Sequence, residues 1–102
     1  MIKHSIHNIF VAECKIWYGK KAYLDSITQL LSYLTWKDSK TAIIIFVRNQ
    51  GMGHVLNEIK KHTPSHENFK KFNRCYRDNW FEYDFINVYI TFFLSVLVFK
   101  ID

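Results

Sequence analysis

Seven uncharged residues, Thr41 to Val47 (TAIIIFV), stand between Lys40 and Arg48. A continuous apolar run of this length, rich in β-branched side chains, reads as a strand covered on both faces and so excludes an all-helical chain. What precedes it sets the connection. Residues 21 to 37 place Leu24, Ile27, Leu31 and Leu34 at three- and four-residue spacing, the single apolar face of a helix. Asn8 to Ile16 is a second apolar stretch with strand character, and Trp17 to Lys21 turns the chain between the two. Strand, helix and strand in this order predict a parallel pair joined by a right-handed crossover.

The second half continues the alternation. Arg48 to Gly53 is a loop holding two glycines, and His54 to about Lys61 forms a short helix with Val55, Leu56 and Ile59 inward. Pro64 closes that helix. His62 to Asn79 is a polar, basic stretch with no regular element assigned. Trp80 to Phe85 alternates large apolar and acidic residues as a strand does, and Leu94 to Ile101 is the last strand. The expected architecture is a single α/β domain over residues 1–102, with order β-α-β-α-β-β and a mixed sheet flanked by helices. Ile86 to Phe99 is strongly apolar, but a spanning helix needs about 20 residues, and its Val, Ile, Phe and Tyr favour core strand over membrane.

Composition narrows the class. Aromatic residues make up 18% of the chain, enough large side chains to fill a core at this length, which favours a packed core over disorder. Two cysteines, Cys14 and Cys75, do not make a disulfide framework, and Cys14 is expected to pack as a small hydrophobe. With no h-region after Met1 to His4, the expectation is a reduced, cytoplasmic protein. A formal charge of +5 permits a polyanionic partner without requiring one.

Two groups of residues carry chemistry. Glu13 and Lys15 are two apart in the first strand, so they share a face about 6.6 Å apart along the chain. They are either a solvated ion pair on an edge strand or a functional carboxylate and ammonium. Lys70, Lys71, Arg74 and Arg77, interleaved with Phe69, Phe72 and Tyr76, are either phosphate contacts beside stacking rings or a solvated face whose rings go to the core. His54, His62, His66 and Cys75 do not have zinc spacing, because Pro64 separates the two closest histidines and there is no Cys-x-x-Cys.

A strand carrying Glu13-x-Lys15, followed by a helix carrying Gln29-x-x-x-Tyr33, resembles the PD-(D/E)XK nuclease superfamily, in particular its RecB-like branch with the Gln-x-x-x-Tyr element. The stretch FVAECKIWYGKKAYLDSITQLLSYLTWKDSKTAIIIFVRN, then SHENFKKF, then LSVLVFKI, is similar to restriction-endonuclease-like domains of that kind. The resemblance implies metal-dependent hydrolysis of DNA phosphodiester bonds, with Glu13 as a magnesium ligand and Lys15 orienting the attacking water or offsetting charge at the phosphate. It also implies that Gln29 and Tyr33 contact substrate or brace the site. Such a family needs an acidic ligand upstream of the Glu-x-Lys strand, and residues 1–12 contain no Asp or Glu. The chain therefore resembles an N-terminally truncated, restriction-endonuclease-like domain, from which weak Mg2+ binding and little hydrolysis are expected. The alternative expectation is a non-catalytic nucleic-acid-binding or structural relic. A lost strand would leave a bare sheet edge, through which a homodimer is expected.

Overall fold

A computed structural model describes residues 10–34, 40–88 and 90–101. β1 (Phe10–Ile16) leads into α1 (Lys20–Tyr33), β2 (Lys40–Val47) and α2 (Met52–His62). A 3-10 turn (Thr63–Ser65) follows, then β3 (Phe69–Arg77), β4 (Trp80–Asn87) and β5 (Ile90–Lys100). The five strands make one mixed sheet in the order β1-β2-β5-β4-β3. β1 and β5 both run parallel to β2, while β4 is antiparallel to β5 and to β3.

The two helical crossovers step the same way across the sheet, from β1 to the adjacent β2 through α1 and from β2 past β5 and β4 to β3 through α2. Right-handed connections that step in one direction put both helices on one face of the sheet. The core lies there. Thr41, Ile43, Ile45 and Val47 of β2 are buried under the helices with Phe92, Leu94, Val96 and Val98 of β5 and Phe81, Tyr83 and Phe85 of β4. α1 meets them with Tyr23, Ile27, Leu30 and Leu31, and α2 with Val55 and Ile59. Gly19 precedes α1 at φ 101°, a conformation that a side chain would strain.

The helix pair is pinned by side chains. The Tyr23 hydroxyl on α1 donates to Thr63 Oγ1 at 2.8 Å, and Thr63 in turn donates to the Ile59 carbonyl at 2.6 Å. The Asn68 amide donates to His66 Nδ1 at 3.0 Å, which leaves the ring proton on Nε2. Nε2 then donates to Thr28 Oγ1 at 2.8 Å. Burial lowers the pKa of His66, a trend that nearby Glu67 opposes only in part.

The structure departs from the sequence expectations in four places. β3 is a strand where a polar stretch without regular structure was expected, so the sheet has five strands. Its ladder with β4 breaks register three times, between Phe69 and Lys71, Phe72 and Arg74, and Cys75 and Arg77. Each bulge adds a residue, so the inward positions Phe69, Phe72 and Cys75 recur every three residues and the alternation of a regular strand is lost. β5 begins at Ile90, four residues before the expected start, and α1 is described to Tyr33, with 35–39 outside the described residues. β2 is central in the sheet but covered by helix on one face alone, leaving Ile44 and Phe46 half-buried on the other. Cys14 is exposed, because its side chain leaves β1 on that same uncovered face. Expectations placed on Asn8, Ile9 and Trp36 lie outside the described residues.

Candidate functional site

The face of β1 is set by register. Glu13 pairs with Ile43 and Lys15 with Ile45, so both project to the helix-covered side, between buried Val11 and buried Trp17. A strand at the border of the described sheet has helix over only part of its width, which lets two charged groups reach solvent from the core face. Lys15 Nζ lies 4.0 Å from Glu13 Oε2, with the lysine side chain 39% and the glutamate 30% exposed. This is a long, partly screened ion pair, the kind that contributes little to stability.

α1 supplies the second wall. Its Thr28 flank faces His66, and the opposite flank carries Ala22, Ser26, Gln29 and Tyr33 at spacings of four, three and four. Ala22 and Ser26 line a cavity of about 270 Å³ together with Lys15, Trp17, Tyr23 and Ile43. The helix runs opposite to β1, so a turn of about 5.4 Å along α1 spans roughly two residues back along the strand. Lys15 and Ser26 line that cavity together, and Gln29 and Tyr33 lie about one and two turns beyond Ser26 on the same flank. Both Gln29 and Tyr33 are exposed. Glu13 and Lys15 thus share the core face of β1, and Gln29 and Tyr33 share the flank of α1 that holds Ser26.

Glu13 shares its carboxylate with the Lys15 ammonium, and among the described residues no three His, Cys, Asp or Glu side chains converge to hold a metal ion. Magnesium held by protein takes carboxylates together with waters and substrate phosphates, and a lone carboxylate already paired to a cation is a poor anchor. Two of the histidines have other partners: His62 lies 3.6 Å from Glu58, and His66 is tied to Thr28 and Asn68.

The basic cluster lies elsewhere. Lys70, Lys71, Arg74 and Arg77 are all exposed on β3, at the opposite border of the sheet, roughly 19 Å from β1 by four strand spacings. Lys71, Arg74 and Arg77 register against Asp84, Glu82 and Trp80 of β4, on the face without helices. The Arg74 guanidinium stacks 5.0 Å from the Tyr76 ring, which sits 4.6 Å from the Trp80 ring. The Trp80 indole N–H is buried with no acceptor among the described residues. Lys70 Nζ reaches across to Thr91 Oγ1 at 3.2 Å. Glu13 and Lys15 therefore stand on β1 at one border of the described sheet and the four cations on β3 at the other.

Sequence reasoning missed the uncovered face. The signal was present in the alternation of Trp80, Glu82, Asp84 and Ile86 with Phe81, Tyr83 and Phe85, which gives β4 one polar and one apolar side. Comparison with family models, with curated proteins and with solved structures finds no match to this chain.

Proposed function

We propose that the chain is a nuclease-like α/β domain that binds nucleic acid, DNA in the first instance, through the exposed cations of β3, and that it does not hydrolyse phosphodiester bonds unaided. The observation that supports this reading is the display on one strand of Lys70, Lys71, Arg74 and Arg77, all solvent-accessible, beside the exposed rings of Phe72 and Tyr76. Cations at such a border meet phosphates without desolvating a core, and their binding term is electrostatic and independent of base sequence. Glu82 and Asp84 across from Arg74 and Lys71 temper the field over the sheet, so the outer edge of β3 is the contact line.

The test is the salt dependence of binding to a duplex oligonucleotide. Four phosphate contacts predict a roughly 100-fold loss of affinity between 50 and 200 mM salt, and replacing Arg77 with Ala should lower the slope by about one. Binding that ignores added salt, or a slope unchanged in Arg77→Ala, is incompatible with the assignment.

A second reading, metal-dependent cleavage by ancestry, is favoured by one observation: Glu13 and Lys15 share a face beside the flank that bears Gln29 and Tyr33. Its test is nicking of supercoiled DNA with magnesium. Loss of nicking in both Glu13→Ala and Lys15→Ala supports it, whereas equal nicking in the parent and both variants assigns the activity to something other than this pair.

A further inference from the structure

The bulges of β3 decide where its side chains go. Each one sets two successive residues of β3 opposite a single residue of β4. Both members of a pair lean to the same side, and their contacts say which. Lys70 reaches Thr91, the Asn73 amide donates to the Asp84 carboxylate, and the Tyr76 ring meets that of Trp80. Thr91, Asp84 and Trp80 alternate with the buried Phe92, Phe85 and Phe81, so they point away from the helices. Lys70, Lys71, Asn73, Arg74, Tyr76 and Arg77 therefore all stand on the uncovered face, where a regular strand would send every second residue to the other side.

Rings lie inside that cationic border. Trp80 registers with Arg77 on one side and Leu97 on the other. Phe93, 49% exposed, stands in the row of Lys71 and Asp84, two strand spacings or about 10 Å in from β3. The Trp80 and Asp84 rows are about 13 Å apart along β4. The carboxylates between rings and cations are engaged locally: Asp84 is 6% exposed and held by Asn73, and Glu82 registers against Arg74.

We infer, on the footing of the nucleic-acid contact proposed above, that this face takes single-stranded DNA, with phosphates along the cations of β3 and bases turned inward over Trp80 and Phe93. Width decides against the duplex. The sheet spans roughly 19 Å across four strand spacings, whereas the major groove is about 12 Å wide, so rings set behind the β3 border cannot reach base edges from within a groove. A duplex also keeps its base faces stacked inside and would meet the cations alone. A single strand offers phosphates and base faces together, and stacking on aromatic rings tolerates any sequence. Glu82 keeps phosphates off the middle of the sheet, which sets the backbone outside and the bases inside. Arg74, 5.0 Å from the Tyr76 ring, adds a guanidinium plane beside Trp80.

Fluorescence anisotropy with the full chain provides the test, using a labelled oligothymidylate of about 12 nucleotides and a duplex of the same length. The single strand is expected to bind at least about tenfold tighter at equal salt. Phe93→Ala should weaken it between about five- and 100-fold, the range of one lost stacking contact. Phe93→Leu, which keeps apolar bulk without a π-face, should lose nearly as much, each variant retaining the parent far-ultraviolet spectrum. The ring carries no charge, so the loss should be the same at about 50 and about 200 mM salt. A duplex bound as tightly as the single strand, with a salt slope still lowered by Arg77→Ala, overturns the platform and leaves the edge contact standing. So does a single-strand affinity indifferent to both Phe93 variants. Binding of both probes that ignores salt removes the nucleic-acid reading and the platform together.

Discussion

Replacing Thr63 with Val tests how α1 is held over the sheet. Thr63 is fully buried, and its hydroxyl accepts a hydrogen bond from the Tyr23 phenol, itself 4% exposed. Burial drives the Tyr23 pKa far above its ordinary value, so the phenol stays protonated and acts as donor. Val preserves shape and removes the acceptor, leaving the O–H stranded in the core at a cost of about 2 kcal/mol. The Ile59 carbonyl suffers less, because the Thr63 backbone N–H also reaches it. Tyr23→Phe alone should cost about 1 kcal/mol, since Thr63 keeps its bond to Ile59. The double variant should cost less than the sum of about 3 kcal/mol, because the Tyr23 donor is then no longer stranded. For a domain of this size, Thr63→Val corresponds to a fall in Tm of roughly 8–16 °C, measurable by calorimetry. If the two substitutions add, or if Thr63→Val melts with the parent, the bond does not hold the helix as described.

Three further outcomes are expected. His66 is neutral and has a lowered pKa when folded, so the unfolded chain binds the extra proton first; its contribution is intact above about pH 6.5 and is lost as pH falls from there through the folded pKa. Urea midpoints measured across that window should drop on acidification, and His66→Gln should flatten the drop. Val88 holds φ 59° in the β4–β5 connection, a conformation costly for a β-branched residue, so Val88→Asn should stabilise by about 1 kcal/mol, read as a higher urea midpoint at unchanged m-value. Lys15→Met, which breaks the half-exposed pair with Glu13, should change stability by less than about 0.5 kcal/mol in the same titration, and a larger loss would mark the pair as structural.

The α/β class was legible because its signals are strong and local. The Thr41–Val47 run and the three- and four-residue spacing of Leu24, Ile27 and Leu31 each allow one secondary structure. The shared face of Glu13 and Lys15 was likewise fixed by strand geometry alone. β3 was not legible, since three bulges give Phe69, Phe72 and Cys75 a period that belongs to neither strand nor helix, and the intervening cations resemble a loop. Cys14 was misjudged for a related reason: an apolar neighbourhood in sequence does not say which side of a sheet carries helices. That choice follows from the step direction of two crossovers, a long-range property no window of residues contains. The separation of the β3 cations from Glu13 depends on the same topology, because β3 and β1 become opposite borders only after β5 inserts between β2 and β4.

The three extra residues of β3 have a consequence for how the molecule keeps to itself. A newcomer chain seeking to extend the sheet at that end would need to match a hydrogen-bonding ladder that falls out of step at Lys70, Asn73 and Tyr76. It would also have to approach Lys70, Lys71, Arg74 and Arg77, whose mutual repulsion grows with each added copy. Fibrillar stacking is thereby blocked on this side by geometry and by charge at once, and removing the bulge residues would turn a guarded border into an adhesive one.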